Sequence, residues 1–229
     1  MDTTFVIATK DLIKAGRGVE RLYWQALSID AMSVKCELLI IDGSLTAENN
    51  IIRKRLKGTS AKVIHLPQDV LNLPKLWNQG VQMAAGEWIH ISGADFIYSP
   101  QFMGEVAGVR KEDRLVMCKV WELPRMNITK DRISKWNWPP LKEFFAYKPR
   151  LANGIQHATK ELFTKVPYDE RMLKLGGMDN LQEYKCIKEG YDCYWWEQKH
   201  VLHQWHKISQ MKMGAQFNEN QKIIRDYLK

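Results

Sequence analysis

"IHISGADFIYSP", residues 89–100, decides how this chain is read. Ile89 to Ser92 is a short run of strand length, and Gly93-Ala94-Asp95 turns it out of the interior on a single acid, five residues before Pro100. A carboxylate at the end of a buried strand is a place for a divalent cation over a phosphate. Such a cation usually has two acids at the turn, and this turn offers one.

Working outward, strands and helices alternate. "FVIAT" (5–9) is a short apolar strand, and "GVERLYWQALSI" places Val19, Leu22, Tyr23, Ala26 and Leu27 at helical spacing. "CELLIID" ends a second strand at Asp42. "LTAENNIIRKRLKG" reads as a helix capped by Thr46 and stopped by Gly58. "AKVIHL" is a third strand, and "LPKLWNQGVQMAAG" is a helix with Pro74 in its first turn and Gly86 at its end. "EWIHIS" then leads into the opening stretch. Short connections between alternating strands and helices predict a mostly parallel α/β sheet covered on both faces, with ligands beyond the carboxyl ends of its strands. Three polar sites fall there: Thr9-Lys10-Asp11, Asp42-Gly43-Ser44 and Ser92-Gly93-Ala94-Asp95.

After about residue 100 the pattern thins. "RLVMCKVWEL" reads as a strand, and residues 124–150 as a long Pro-, Trp- and Lys-rich loop of the kind that forms lids or binding loops. Trp136 and Trp138 in "SKWNWPP" sit where Pro139 and Pro140 forbid regular structure, to stack on a sugar or base or to anchor the loop. Trp24, Trp77 and Trp88 read as core. "MDNLQEYKCIKEG" is a helix stopped by Gly190. "YDCYWWE" is a strand that "KHVLHQWH" continues, and "NENQKIIRDYLK" is a closing helix.

Composition bounds the classes. With 229 residues, 45% hydrophobic and 26% charged, the chain has ample length for a globular core. No apolar run reaches the roughly 18–20 residues a bilayer requires, and Met1-Asp2-Thr3-Thr4 has no basic region of a leader, so a cytoplasmic location is expected. Cys36, Cys118, Cys186 and Cys193 form no CxxC pair, which predicts reduced thiols. The net charge of +8 marks either a solvated basic surface or attraction to phosphate, in a nucleotide or a nucleic acid. Neither GxGxxG, GxxxxGK[ST] nor GxSxG is present, which excludes a Rossmann dehydrogenase, a P-loop enzyme and a hydrolase elbow.

"FVIATKD", "CELLIIDGS", "WNQGVQMAAGEWIHISGAD" and "GGMDNLQEYKCIKEGY…HVLHQWH" resemble, in order, the landmarks of GT-A fold glycosyltransferases of family 2 and their galactosyltransferase-like relatives. The resemblance covers residues 5–105 well and 150–206 more loosely. It implies one Rossmann-like GT-A domain over residues 1–229, with a nucleotide-sugar-binding half, 1–105, and an acceptor-binding and catalytic half, 106–229. It further implies that Ala8 and Thr9 contact base and ribose, that Asp42 accepts from the uracil N–H, and that Asn78 lies near the donor. Gly93-Ala94-Asp95 stands at the D-x-D motif, whose last acid binds Mn²⁺ or Mg²⁺ on the donor diphosphate. Asp179 matches the catalytic base, and His203 a histidine that completes the metal site.

Each residue also has a plainer reading. Asp42 can close an Asx turn, and Asp179 can cap the helix that follows it. His203 and His206, three apart on a strand, face opposite ways, and a histidine beside Trp205 can be structural.

Transfer from a sugar nucleotide places negative charge on the leaving diphosphate and removes a proton from the acceptor hydroxyl. With Gly93 in place of the first acid, the expected metal site is Asp95 plus His203, with Lys10 and Lys75 as compensating charge. The expected partners are a UDP-sugar and a glycan, lipid-linked or other hydroxyl. Two alternatives stay open. One is transfer to a hydroxylated base of nucleic acid, suggested by Arg53, Lys54, Arg55 and Lys57 and by the Trp136/Trp138 loop. The other is a relative that binds nucleotide or glycan without turnover.

Overall fold

The computed structural model describes residues 2–13, 17–123, 126–139, 142–143, 155–173, 176–204 and 215–229. Its elements in chain order are β1 (Thr3–Thr9), α1 (Gly18–Asp30), β2 (Glu37–Asp42), α2 (Thr46–Arg55), β3 (Lys62–His65), α3 (Leu73–Met83), β4 (Trp88–Ser92), β5 (Phe96–Tyr98), α4 (Phe102–Ala107) and β6 (Arg114–Cys118). There follow β7 (Trp121–Leu123), α5 (Lys130–Lys135), β8 (Lys142–Glu143), β9 (Gln156–Thr159), α6 (Lys160–Lys165), α7 (Met178–Lys188), β10 (Asp192–Trp196), β11 (Val201–Gln204) and α8 (Ala215–Leu228).

The expected mixed, mostly parallel sheet is present, in the order β10-β6-β9-β4-β1-β2-β3. Only β9 runs antiparallel to its neighbours. Its central strands β1, β2 and β4 are buried along their whole length, because both faces are covered. Phe5, Ile7, Leu38 and Ile40 point to one layer with Leu22 and Ala26 of α1, Ile52 of α2 and Phe102 of α4. Val6, Ala8, Leu39 and Ile41 point to the other, with Leu76 and Trp77 of α3, Leu162 of α6, Leu181 of α7 and Ile224 of α8. Strands β6, β9 and β10 from the chain's second half complete the sheet begun by the first.

Gly80 explains the glycine of "WNQG". A Cβ there would lie 2.2 Å from Val6 Cγ1 and 3.0 Å from Ile41 Cγ1, so only glycine lets α3 lie this close to β1 and β2. Gly80→Ala is expected to cost about 1–3 kcal/mol by overpacking, read as a lower urea midpoint at unchanged slope. An unchanged midpoint would mean that α3 can move off the sheet without cost.

A second, four-stranded sheet, β5-β11-β7-β8, corrects two expectations. "RLVMCKVWEL" is two strands, β6 in the main sheet and β7 in the small one. "KHVLHQWH" does not continue β10; its first part forms β11 in the small sheet. The reason is a shared crossing. The chain leaves the main sheet at 93–95, at 119–120 and at 197–200, and enters the small one each time. The last two crossings are tied together, because Lys119 N donates to Trp196 O at 3.1 Å and Gln198 Nε2 donates to Lys119 O.

Smaller differences have local causes. The N-cap of α2 is Leu45, with Thr46 inside the first turn, and α3 ends at Met83 with Ala84 as its C-cap. Ser134 and Lys135 finish helix α5, and Trp136 closes it in a left-handed conformation at φ 50°. Trp136 and Trp138 meet edge to face at 5.8 Å and pack with Trp24 on Ile97, Leu123, Ile133 and Leu202, which is the anchoring arrangement. Trp77 and Trp88 are buried as expected, while Trp24 is only half-buried. Pro140, Trp205 and His206 lie outside the described residues, as do residues 144–154. No described helix is long and apolar enough to cross a membrane.

Two core histidines set an acid limit on the fold. His90 and His157 face each other across β4 and β9, both fully buried, with ring centroids 5.9 Å apart. Burial pushes the His157 imidazole down to about 3, helped by the charge of Arg110. Burial, and then His157, holds His90 well below its ordinary 6.5. Between about pH 6.5 and 3 the unfolded chain therefore binds protons that the native state refuses. Stability, full above pH 6.5, falls on acidification by about 1.4 kcal/mol per pH unit for each such histidine. Urea midpoints at pH 7, 6 and 5 should drop less steeply in His157→Phe than in the wild type; parallel slopes would contradict this.

Candidate active site

The carboxyl ends of β1, β2 and β4 lie side by side, as the register Thr9↔Asp42 and Ile7↔Ser92 shows. At the first two ends the polar groups are bound to one another. Asp42 is fully buried: its Oδ1 accepts from Thr9 Oγ1 and Ser44 N, both at 3.1 Å, and its Oδ2 accepts from Asn49 Nδ2 at 2.8 Å. Asp42 thus closes an Asx turn and ties α2 to the strand end. Ala8 packs its methyl in the core, so it offers the crevice only backbone. Lys10 Nζ donates to Gly43 O at 3.2 Å and Gln68 O at 2.6 Å, holding two loops together. His65 Nε2 lies 2.8 Å from Ser44 O and braces the same loop from β3.

Asn78 is also committed within the protein. Its Nδ2 donates to Tyr168 O and Glu170 Oε1, and its Oδ1 accepts from Tyr168 N. The expected donor-side residue is a latch between α3 and the loop after α6. Lys75 is exposed on the first turn of α3.

The turn after β4 is different. Strand β5 pairs with β11 in the register Phe96↔His203, which brings an imidazole from the far end of the chain to the Asp95 turn. His203 Nε2 lies 3.4 Å from Asp95 Oδ2. Gly93 and Ala94 are half-buried, and a Cβ on Gly93 would lie 3.3 Å from Asp95 Oδ1, so the carboxylate folds back over the glycine. Arg21 of α1 adds positive charge: burial lowers its pKa and the Asp95 carboxylate raises it.

Asp179 stands in the first turn of α7, and the following amide N of Asn180 donates to its Oδ1 at 3.1 Å. Two buried side chains hold this helix start at the sheet. Gln156 Nε2 donates to Asp179 O at 3.1 Å, and Tyr168 Oη donates to Gln156 Oε1. Gln156 pairs in register with Ile91, four residues before Asp95, so Asp179 and Asp95 share one end of the sheet. Burial, and next the Asp179 carboxylate, holds the Tyr168 phenol well above its ordinary 10.

Asp95 and His203 suit a hard divalent cation, which binds through one or two protein groups while diphosphate oxygens and water fill the rest. Among the described residues no group of three His, Cys, Asp or Glu forms a closed cage. A site completed by its substrate has that composition.

The family model for glycosyl transferase family 2 matches residues 20–166, more than half of the sequence. The chain belongs to glycosyl transferase family 2. Asp42, Asn78 and Asp95 lie inside the match; Thr9, Asp179 and His203 lie outside it. Among solved structures, S. aureus TarS residues 1–349 in complex with UDP-GlcNAc matches this family 2 chain with a TM-score of 0.68 at 13% identity, over 98% of this chain and 65% of that one. A second TarS structure gives 0.66 at 13% identity, over 98% and 39%. GalNAc-T7 with UDP, GalNAc and Mn²⁺ gives 0.62 at 14% identity, over 99% and 48%. These likenesses show the GT-A fold, and the chain spans from 39% to 65% of those proteins' lengths. No curated protein matches the sequence.

The residues that sequence reading missed are Arg21, Gln25, Gln156 and Tyr168. Arg21 and Gln25 read as two polar positions on an amphipathic helix, and only the crossing into the small sheet turns them toward Asp95. The basic run of α2 reads differently in three dimensions. Arg55 pairs with Glu20 at 2.8 Å and stacks on Tyr23, and Arg53 donates to Asn49 Oδ1 and Val63 O; Arg53, Lys54 and Lys57 are exposed.

Proposed function

We propose that this chain transfers a sugar from a UDP-sugar to an acceptor hydroxyl, with inversion, in the crevice between Asp95 and Asp179. The observation that carries this reading is the meeting of Asp95 and His203 at the strand end where α7 also begins. Two of the structural neighbours hold UDP-GlcNAc, or UDP with GalNAc and Mn²⁺, which favours a UDP-sugar donor and a divalent cation.

In this mechanism Asp95 and His203 would hold Mn²⁺ or Mg²⁺, and the cation would supply positive charge to the departing diphosphate. Arg21 adds fixed charge on the same side. Asp179 accepts the proton of the attacking hydroxyl as the new glycosidic bond forms and the anomeric carbon–phosphate oxygen bond breaks. A carboxylate does this from within about 2.6–3.2 Å of the hydroxyl. Gln156 and Tyr168 fix the start of α7 and with it the base. A single displacement of this kind inverts the anomeric centre. The acceptor is a glycan, a lipid-linked sugar or another hydroxyl compound.

A panel of UDP-, GDP- and TDP-sugars, with free nucleotide as readout, tests the proposal. UDP release that needs a divalent cation and stops with EDTA is expected. Binding of UDP without release from any UDP-sugar, across acceptors, would favour the reading without turnover.

A further inference from the structure

The turn that presents Asp95 has a structural difficulty. The chain leaves the main sheet at Ser92 and enters the small sheet at Phe96, so the polar groups between them fall outside both ladders. Buried backbone groups without partners cost free energy comparable to a lost hydrogen bond. Here a single side chain answers for two of them and for the Ser92 hydroxyl, which itself donates to Gly93 O at 3.1 Å. Gln25 of α1, fully buried, donates from Nε2 to Ser92 Oγ at 3.0 Å and to Gly93 O at 2.9 Å, and its Oε1 accepts from Phe96 N at 3.3 Å.

These partners fix the orientation of the amide. Reversing it would set Oε1 against the Gly93 carbonyl and an NH₂ group against the Phe96 N–H. On the other side of the turn, Gln204 N donates to Asp95 O at 2.8 Å, and Gln204 Nε2 donates to Arg21 O at 2.8 Å. The Asp95 backbone is thereby clamped between α1 and β11.

We infer that Gln25 is the positioning residue for Asp95: it fixes the turn so that one carboxylate can do what two usually share. The inference rests on the reading that Asp95 holds the cation on the diphosphate. Gly93 carries no side chain to help, and the Asp95 carboxylate lies directly over it. The cation's place is then set by this carboxylate and His203, and a metal site tolerates only about 0.5 Å of drift. Outer residues that orient a ligand are commonly worth about 10–100-fold in metal affinity.

The test measures Mn²⁺ affinity in the presence of UDP, from free Mn²⁺ by electron paramagnetic resonance, together with thermal melting. Four proteins are compared: the wild type, Asp95→Ala, Gln25→Met and Ser28→Ala. Methionine keeps the length of Gln25 and removes its three hydrogen bonds. Ser28, one turn along α1 and equally buried, accepts from Tyr98 N at 3.1 Å, past the turn, and donates to the Gln25 backbone carbonyl at 2.7 Å, so it controls for loss of buried bonds that leave the Gln25 amide in place. The inference expects Gln25→Met to weaken Mn²⁺ binding about 10–100-fold while Ser28→Ala leaves it within about twofold, or about 0.4 kcal/mol.

If Asp95→Ala binds Mn²⁺ as tightly as the wild type, the metal reading itself fails. If Asp95→Ala loses binding but Gln25→Met keeps it, the reading stands and the role given to Gln25 is overturned. Equal weakening in Gln25→Met and Ser28→Ala also overturns it, since the effect would then follow stability. Should Gln25→Met not fold, Ser92→Ala carries the test, because it removes one of the three bonds together with the Ser92 Oγ–Gly93 O bond; a weakening of a few-fold supports the inference, and unchanged affinity refutes it.

Discussion

Asp95→Ala should lower kcat/KM for the UDP-sugar by about 10²–10³-fold and abolish its response to added Mn²⁺. That is the usual cost of removing one fixed stabiliser of charge that develops in the transition state. The size follows from the make-up of the turn. Gly93 leaves Asp95 as its only acid, and His203 lies 3.4 Å away. A motif with two acids could lose one and keep a weakened site; this one has no second carboxylate on the turn. His203→Ala should act more mildly, raising the Mn²⁺ concentration for half-maximal rate by roughly 10-fold or more, since diphosphate and water can replace an imidazole. A Mn²⁺ titration of both variants decides the matter. If both keep the wild-type dependence on metal, the cation sits elsewhere.

Asp179→Asn should leave donor KM close to the wild-type value and reduce kcat by about 10²–10⁴-fold, the range for a positioned general base. Asparagine keeps the shape of the side chain and can still accept from Asn180 N, as Asp179 Oδ1 does at 3.1 Å, so the start of α7 should hold. Gln156 bonds the backbone of residue 179, which the substitution leaves alone. The loss would therefore report on proton acceptance rather than on folding. A kcat within about threefold of the wild type, well below that range, would remove Asp179 from the chemistry. A large rise in donor KM instead would make it a binding residue.

The first half of the fold was legible because β1, β2 and β4 are buried on both faces and its connections are short. Periodicity alone marks β1 to β4 and the helices between them. The second half was legible only in part. "RLVMCKVWEL" and "YDCYWWE" with "KHVLHQWH" each read as one continuous strand, yet the described residues of each divide between two sheets. The crossing is set by tertiary partners such as Gln198 and Lys119, and no local pattern records them.

The site shows the same division. Asp95 was readable from its place after a buried strand, and the resemblance pointed to His203. The Asx turn of Asp42 was one of the readings its place after a strand allowed. The commitments of Lys10 and Asn78 to their own neighbours were not readable, because a Lys or Asn looks the same with its polar end satisfied or open. Gln25 and Gln156 escaped notice for a related reason. A glutamine on a helix or strand carries no sign of which backbone carbonyl it will meet.

The central claim is that the ends of β1, β2 and β4 grip an activated sugar while Asp179 reaches in from the chain's second half. A crystal structure of the protein with UDP and Mn²⁺ tests this most directly. The account predicts the diphosphate beside the 93–95 turn, the cation bound to the Asp95 carboxylate at about 2.0–2.3 Å, and the Asp179 carboxylate open to the space where the sugar would lie. A nucleotide bound away from that turn, or an Asp179 turned from it, would contradict the account.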